Sequence, residues 1–506
     1  MKTFFSQLVT VTFDQSSPSR LRRAGHGLMV AALLTGMTGC VQNPVTGSRE
    51  FSLLSPEQEL ALGTQGDAEV TAQIGLYNDP AVAEYVNRLG QALAAKSDQP
   101  SLKWHFKVLN SPEINAFAMP GGFIYINRGL LPYLQNEAQL AVILGHEIAH
   151  VTARHSAKAY TASQLTDLGL GIGSLVFSEI RPFLGAIQTG LKLLSLKYSR
   201  DDETSADDLG VKYATRSGYQ AGEAAGFFAS LNRIQNQQQG GSLPTWASDH
   251  PDPADRQLKI QARTTFYQQQ YPSSTYTGTD SATFLPRLDR LVFGKDTRQG
   301  LVKNGFFYQP ERRFQLPIPS GWQIGYFPDQ VQMAPAGNSP SAALTLVIRP
   351  AASPATAADD FVAANKAQPL EGGAVMVNGF AGYRLKSQVT VDNGQGGSSA
   401  LTVLSYFISK GDRLYTFNGF APPASFASHA ATFEGVFTGF AELTDPTILG
   451  TQPGRLTVFT APSAGTFQSL VNPNAAYGID VGGLAILNMR QLTDAVAGGT
   501  YLKDVR

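Results

Sequence analysis

The sequence predicts an α+β multidomain chain in which a mainly helical domain is followed by an α+β sandwich domain and a small C-terminal module. The 506 residues give room for about three domains of ordinary size. A composition 43% hydrophobic and 15% charged suits packed cores and excludes a disordered chain. The texture also changes along the chain, from apolar residues at three and four spacing to strand-like segments that alternate with helical stretches, which separates a helical first half from a strand-rich second half.

Residues 1–39 read as an export signal. Arg20, Arg22 and Arg23 precede an uncharged stretch whose apolar centre, Leu28 to Leu34, is too short to span a bilayer. The stretch ends Met37-Thr38-Gly39-Cys40, which resembles a bacterial lipoprotein box, and this implies cleavage before Cys40 and lipidation of its thiol. Gln42 in place of an aspartate implies an outer-membrane anchor facing the periplasm. Because Cys40 is the only cysteine, a disulfide framework and a Cys-rich metal site are excluded for a monomer, and any metal must be held by His and carboxylates. The 39 basic side chains balance the 39 acidic ones with no basic run, so no nucleic-acid partner is expected.

Residues 40–270 form the first domain, helical at Glu57 to Leu62, Ala81 to Leu93 and Asn136 to Arg154. A turn at Met119-Pro120-Gly121-Gly122 feeds a strand within Phe117 to Ile126. A Gly-rich apolar region, Leu165 to Leu196, is broken by Asp167, Glu179, Arg181 and Lys192 and reads as paired buried helices or a lid. Residues 271–300 read as a linker, opening on a Ser-, Thr-, Tyr- and Gly-rich run. In residues 301–443, strand-like Ala343 to Ile348, Tyr383 to Val391, Leu401 to Ile408 and Arg413 to Phe417 alternate with helical Thr356 to Ala367 and Phe426 to Phe440, which predicts the sandwich. Residues 444–506 make the last module.

The chemistry lies in His146-Glu147-Ile148-Ala149-His150, inside a helix that Asn136 can cap, with Gln139 at the capping-box position. Two histidines four apart lie about 40° from each other around a helix, within reach of one metal, and Glu147 can touch a water on that metal without ligating it. This is the pattern of metal-activated hydrolysis. A third ligand is required. The metzincin arrangement is excluded because Ala153 and Ser156 stand where it needs Gly and His. His155 falls about 140° from His150 on a continuous helix and reads as an exposed or capping histidine. The remaining candidates are Glu203 and Asp207, four apart on one face of a helix opening at Ser199: one can ligate while the other takes a hydrogen bond from a ligand histidine.

These motifs, with Asn43-Pro44-Val45-Thr46-Gly47 and the stretch Asn115 to Gly122, resemble the gluzincin peptidases related to the CAAX prenyl proteases and the HtpX heat-shock protease, the Peptidase M48 group, among them the periplasmic BepA-like lipoproteins. The resemblance covers about residues 43 to 265 and implies a zincin-type peptidase fold with one zinc ion per chain on His146, His150 and Glu203. It further implies Glu147 as general base, Asp207 as partner of a ligand histidine, and His250, which precedes Pro251, as a switch or oxyanion stabiliser together with Arg256. The Asn115 to Gly122 stretch corresponds to the edge segment on which a substrate adds as an extended strand.

The expected activity is hydrolysis of misfolded or stalled envelope proteins, the alternative a chaperone or outer-membrane assembly factor with a mostly closed zinc site. BepA resembles a tetratricopeptide carrier downstream, and this chain shows no such repeat, so its partners do not carry over. Residues 305–322 are similar to the opening of a PsbP-type sandwich. Gly465-Thr466-Phe467, Leu487-Asn488 and Gly498-Gly499 resemble a degenerate LysM module, which implies a contact with peptidoglycan.

Overall fold

The computed structural model describes residues 40–169, 198–237, 250, 253–337, 341–392, 398–473 and 477–506. The export signal 1–39 and, from residue 170 on, the Gly-rich apolar region lie outside them. The chain divides into two units: one holds the described residues of Val30–Gly169, Thr189–Asp296 and Pro453–Arg506, and the described part of the other is Thr297–Gln452.

The first unit opens on a hairpin, β1 (Cys40–Gln42) against β2 (Arg49–Phe51). Its turn is made by Asn43, whose Oδ1 accepts from the amides of Val45 and Thr46, an Asx arrangement that favours Asn here. Helix α1 (Pro56–Ile74) starts on a Ser55/Gln58 capping box and α2 (Pro80–Ala94) on Asp79, each with proline in its first turn. The strands β3 (His105–Leu109), β4 (Ala116–Met119) and β5 (Phe123–Asn127) form a sheet in the order β3-β5-β4, with β5 parallel to β3 and antiparallel to β4. The predicted turn stands between β4 and β5, with Gly121 and Gly122 at φ +83° and +93°, and β4 is left at the sheet edge.

Helix α3 (Glu137–Thr152) carries the two-histidine motif and is buried from Ala138 to its end. Asn136 caps it as expected, whereas Gln139 reaches one residue further back, accepting from the Gln135 amide at 2.7 Å. There follow α4 (His155–Gly169), α5 (Arg200–Arg216), α6 (Ala224–Gln237) and α7 (Pro253–Gln270). Ser199 and Asp202 close a capping box at the start of α5. Helices α3 and α5 touch backbone to backbone at Gly145 and Gly210: a Cβ on Gly145 would stand 2.8 Å from the Gly210 oxygen, and one on Gly210 2.8 Å from the His146 nitrogen.

The expected linker is instead part of this unit. The Gly278 carbonyl accepts from Ala138 at the start of α3, and Phe284, Leu285, Leu288 and Leu291 enter the same core as Leu140 and Leu144. The Ser- and Thr-rich run is its solvated stretch, and the apolar residues behind it bury. A short strand, β6 (Val292–Phe293), ends the segment.

In the second unit, β7 (Leu301–Lys303), β8 (Phe306–Gln309) and β9 (Phe314–Pro317) form a small sheet closed by a two-residue strand at Ala441–Glu442. The main sheet contains β10 (Trp322–Phe327), β11 (Gln330–Pro335), β12 (Ala343–Pro350), β13 (Gln368–Val377), β14 (Phe380–Asp392), β15 (Ser398–Lys410) and β16 (Arg413–Ala421). Its order is β10-β11-β12-β16-β15-β14-β13, antiparallel throughout. Alternation along β15 builds two faces: Leu401, Val403 and Phe407 pack with Phe361 of α8 (Pro354–Asn365), while Leu404, Tyr406 and Ile408 pack with Phe433 and Phe437 of α9 (Pro423–Thr438). This is the predicted α+β sandwich.

The boundary of the last module moves from residue 444 to 453, and the module belongs to the first unit. It runs β17 (Gly454–Thr460), β18 (Gly465–Thr466), α10 (Phe467–Leu470), α11 (Val481–Leu487), β19 (Ala495–Val496) and β20 (Tyr501–Val505), with β17 antiparallel to β20 and to β6. The buried Lys503 Nζ donates to the Pro132 and Leu134 carbonyls at 2.7 and 2.8 Å, and Gln135 Nε2 donates to the Leu487 carbonyl at 2.7 Å. The module is thereby joined to the segment that leads into α3.

The Gly145–Gly210 contact makes a direct prediction. Gly210→Ala, which puts a methyl group against backbone, should cost about 1–3 kcal/mol, read as a lower unfolding midpoint of the metal-stripped chain. An unchanged midpoint would contradict the close approach.

Candidate metal centre

Helix α3 projects His146 and His150 toward α5, and the contact through Gly145 and Gly210 brings Glu203, from the first turn of α5, up to both imidazoles. Glu203 Oε1 lies 3.4 Å from His150 Nε2, and its Oε2 lies 3.6 Å from His146 Nε2. His250 joins them, its Nδ1 2.8 Å from Glu203 Oε2 and 3.2 Å from His146 Nε2. His146, His150, Glu203 and His250 each offer one donor atom, all within 4.8 Å of one another, and all four side chains are buried. Three imidazole nitrogens and a carboxylate oxygen crowded together in a dry pocket are a donor set that fits a divalent metal cation.

Behind the cluster, His146 Nδ1 lies 3.0 Å from Asp207 Oδ1. Arg256, on α7, donates through Nε to Asp207 Oδ2 at 2.8 Å and forms an ion pair with Asp207 Oδ1. On its other side the guanidinium stacks over the Phe228 ring at 4.4 Å. Burial opposes ionisation of Asp207, yet Arg256 and His146 hold its carboxyl below the usual range. Glu203 likewise works against burial and is held well below its usual range by His250, His150 and His146. Burial pushes the His146 imidazole down to about 3, so it is neutral at neutral pH and able to present a lone pair. His250 has the opposite balance: burial lowers it, but the Glu203 and Glu147 carboxylates raise it overall.

Glu147 is 0% exposed, and neither of its carboxylate oxygens has a hydrogen-bond partner among the described residues. Burial pushes its carboxyl up, against the pull of His250 and His150. A buried acid without partners is costly unless something else engages it, which marks Glu147 as a group kept for chemistry.

All six predicted site residues therefore enter one neighbourhood: His146, His150, Glu203 and His250 in the cluster, Asp207 behind His146, and Glu147 buried among them. Two features were not legible from spacing. Tyr198 stacks on His150, with ring centroids 3.9 Å apart, and its hydroxyl reaches Ser156 Oγ at 2.9 Å. His155 departs from the expectation of an exposed or capping residue. Helix α3 ends at Thr152, Arg154 takes a left-handed φ of +59°, and α4 restarts at His155, which is buried with its Nδ1 3.1 Å from His150 Nδ1. The break in the helix, not its 3.6-residue period, sets where the ring goes.

Residues 80–264 match the sequence family described as Peptidase family M48, a span containing every residue of this centre. Among curated relatives, the "Beta-barrel assembly-enhancing protease" of Escherichia coli (strain K12) is 31% identical over 222 residues, 42% of this chain and 45% of the relative. "Mitochondrial metalloendopeptidase OMA1" of Schizosaccharomyces pombe (strain 972 / ATCC 24843) is 31% identical over 224 residues, 43% of this chain and 64% of the relative. The chain thus spans less than half the length of the first of these and under two thirds of the second. Among solved structures, the cyanobacterial PsbP (CyanoP) from Synechocystis sp. PCC 6803 aligns over 28% of this chain and 95% of its own, with TM-score 0.24 and 14% identity. No helix among the described residues is long and apolar enough to cross a membrane.

The Asp207–Arg256 pair yields a pH signature. A carboxyl whose folded value lies below its ordinary 3.8 contributes stability that is present above that value and lost as pH falls through the folded one. Asp207→Asn removes the carboxylate nearest the buried Arg256 and leaves it Glu203 Oε2 at 3.7 Å, so in chelator the variant should be less stable than its parent by about 3 kcal/mol near pH 7, the low end for breaking a buried pair. The deficit should begin to shrink as pH drops below about 4 and should fade as pH passes through the lowered folded value, where the parent's own carboxyl becomes neutral. Melting curves across that range check this, and a pH-independent deficit would contradict it.

Proposed function

We propose that this protein is a zinc-dependent endopeptidase that hydrolyses misfolded or stalled envelope proteins, tethered by a lipidated Cys40 to the outer membrane and facing the periplasm. The observation that carries the hydrolase reading is the convergence of His146, His150 and Glu203 beside the partnerless, buried carboxylate of Glu147. The printed names of the relatives, an assembly-enhancing protease and a metalloendopeptidase, support an endopeptidase, and the first of them supports an envelope substrate. The lipoprotein-box reading of Met37 to Cys40 supports the anchor. The order of strands and helices in residues 454–505 and the Gly465-Thr466-Phe467 signature support a peptidoglycan contact by the last module, which a pull-down on purified wall material tests.

Zinc bound by His146, His150 and Glu203 would supply a water of lowered pKa and polarise the scissile carbonyl. Glu147 takes the proton of that water on a carboxylate oxygen and returns it to the leaving amide nitrogen. A carboxyl raised by burial is suited to both transfers, because its two protonation states lie closer in energy at working pH. Asp207 accepts the proton of His146 Nδ1, which keeps Nε2 as the nitrogen facing the cluster, and Arg256 keeps Asp207 ionised. Among the described residues β4 stands at the sheet edge, where an extended substrate can add as a further strand. Tyr198 connects that edge to the cluster: its ring stacks on His150 and its hydroxyl lies 3.5 Å from the Ala118 carbonyl on β4.

His250 favours a second reading. Four side-chain donors complete a tetrahedral set and leave no position for water, so a site with His250 engaged is closed to hydrolysis. A chaperone or outer-membrane assembly factor with a mostly closed zinc site would have this form.

Glu147→Gln should keep zinc and lower casein hydrolysis by about 10²–10⁴-fold, while His146→Ala should lose both. Retained hydrolysis by metal-replete Glu147→Gln would overturn the assignment of the base. His250→Ala should raise turnover of unfolded casein if the closed arrangement gates an enzyme. No cleavage by either the zinc-loaded parent or this variant would favour the binding protein.

A further inference from the structure

The two motif histidines differ in what stands behind them. His146 is backed by a carboxylate, Asp207. His150 is backed by another imidazole, that of His155, with the two Nδ1 atoms 3.1 Å apart. We infer that His155 is a positioning residue for His150: it accepts the proton of His150 Nδ1 and so fixes the tautomer and ring orientation with which His150 Nε2 faces the cluster. This rests on the metal-site reading above and deepens it.

Two imidazole nitrogens at hydrogen-bond distance hold one proton between them, so one donates and the other accepts. His150 Nε2 is the nitrogen turned to the cluster, 3.0 Å from His146 Nε2 and 3.4 Å from Glu203 Oε1. If Nε2 is to offer a lone pair to a cation, the proton of His150 sits on Nδ1, and His155 Nδ1 is left as the acceptor. The proton of His155 then sits on its Nε2, which faces Asp202 Oδ1 at 3.7 Å. Asp202 is itself fixed, accepting from Ser199 Oγ at 2.6 Å and from Lys158 Nζ at 3.0 Å. The line Ser199, Asp202, His155, His150 thus runs from the cap of α5 to the cluster, with the Asp202 carboxylate placed to favour a proton on His155 Nε2.

The position of His155 is imposed from a distance. In an unbroken helix its ring would point away from His150, and the break that redirects it is held by residues 43–59. Asn43 Nδ2 donates to the Ala153 carbonyl at 3.1 Å, Arg154 donates to the Leu54 carbonyl at 3.0 Å, and Arg154 forms an ion pair with the buried Glu59. A left-handed non-glycine residue persists only where its surroundings over-determine it, and these contacts do so. This gives the Asn43 to Gly47 motif a role: its first residue holds the end of the motif helix.

The test measures zinc affinity of the full chain by competition with a chromophoric chelator, with circular dichroism and melting of the metal-stripped protein as the check on folding. His155→Ala removes the acceptor and should weaken zinc binding by about 10–100-fold. His155→Asn places its Oδ1 where the Nδ1 stood, restores an acceptor, and should stay within about threefold of the parent. Where His155→Ala does not fold, His155→Leu takes its place, filling the ring's space without an acceptor. Equal weakening by the Asn and the apolar variants would reduce His155 to packing and overturn the proposal, as would parent affinity in an apolar variant. Failure of the parent itself to bind zinc would sink the metal reading and this inference together, a result distinct from either of those.

Discussion

The centre depends on one steric constraint, the contact between α3 and α5 at Gly145 and Gly210. Imidazole and carboxylate side chains are short, and metal-ligand distances tolerate deviations of only a few tenths of an ångström. Two helices at ordinary separation, 8–10 Å between axes, keep room for side chains between them. Here each glycine lies where a methyl group would meet the backbone of the other helix, so Glu203 and Asp207 on α5 reach the rings of α3 directly. Neither glycine is part of the five-residue motif, yet without them the carboxylate of Glu203 would not reach it.

On this frame the electrostatics are layered. The cluster is dry, so each charge needs an answering one: Asp207 is held by Arg256, and Arg256 lies over Phe228. Glu203 is answered by the imidazoles around it. Glu147 is the exception, with burial unrelieved by a hydrogen bond. With both of its carboxylate oxygens lacking a hydrogen-bond partner among the described residues, Glu147 is a base of raised pKa at the place where proton transfer is useful.

The parts of this arrangement governed by short-range rules were legible in the sequence. The cap at Asn136, the four-residue spacing of His146 and His150, and the shared face of Glu203 and Asp207 follow from helix geometry alone. The strands Leu401 to Ile408 and Arg413 to Phe417 follow from runs rich in β-branched and aromatic residues, nearly continuous because both faces of that sheet are covered. What spacing could not show depends on distant partners. His155 was misplaced because Arg154 carries no local signature of a left-handed backbone, which is imposed by Asn43, Leu54 and Glu59 from about a hundred positions upstream. Strand β13 was missed because Pro369, Gly372 and Gly373 break any strand pattern, which an edge strand tolerates. The segment 271–296 resembled a linker because its solvated residues come before its buried ones.

The span 80–264 that carries the family likeness is not the span that folds around the motif helix. Asn43 holds the carbonyl at one end of α3, and Lys503 holds the Pro132 and Leu134 carbonyls just ahead of the other. A fragment trimmed to the recognisable peptidase segment would strip both braces and leave three backbone oxygens searching for donors at the two ends of the motif helix. The helix works as a keystone locked by flanking sequence on either side, so the smallest fragment of the first unit that can be dissected must keep residues 40–54 and 453–506 along with the segment between.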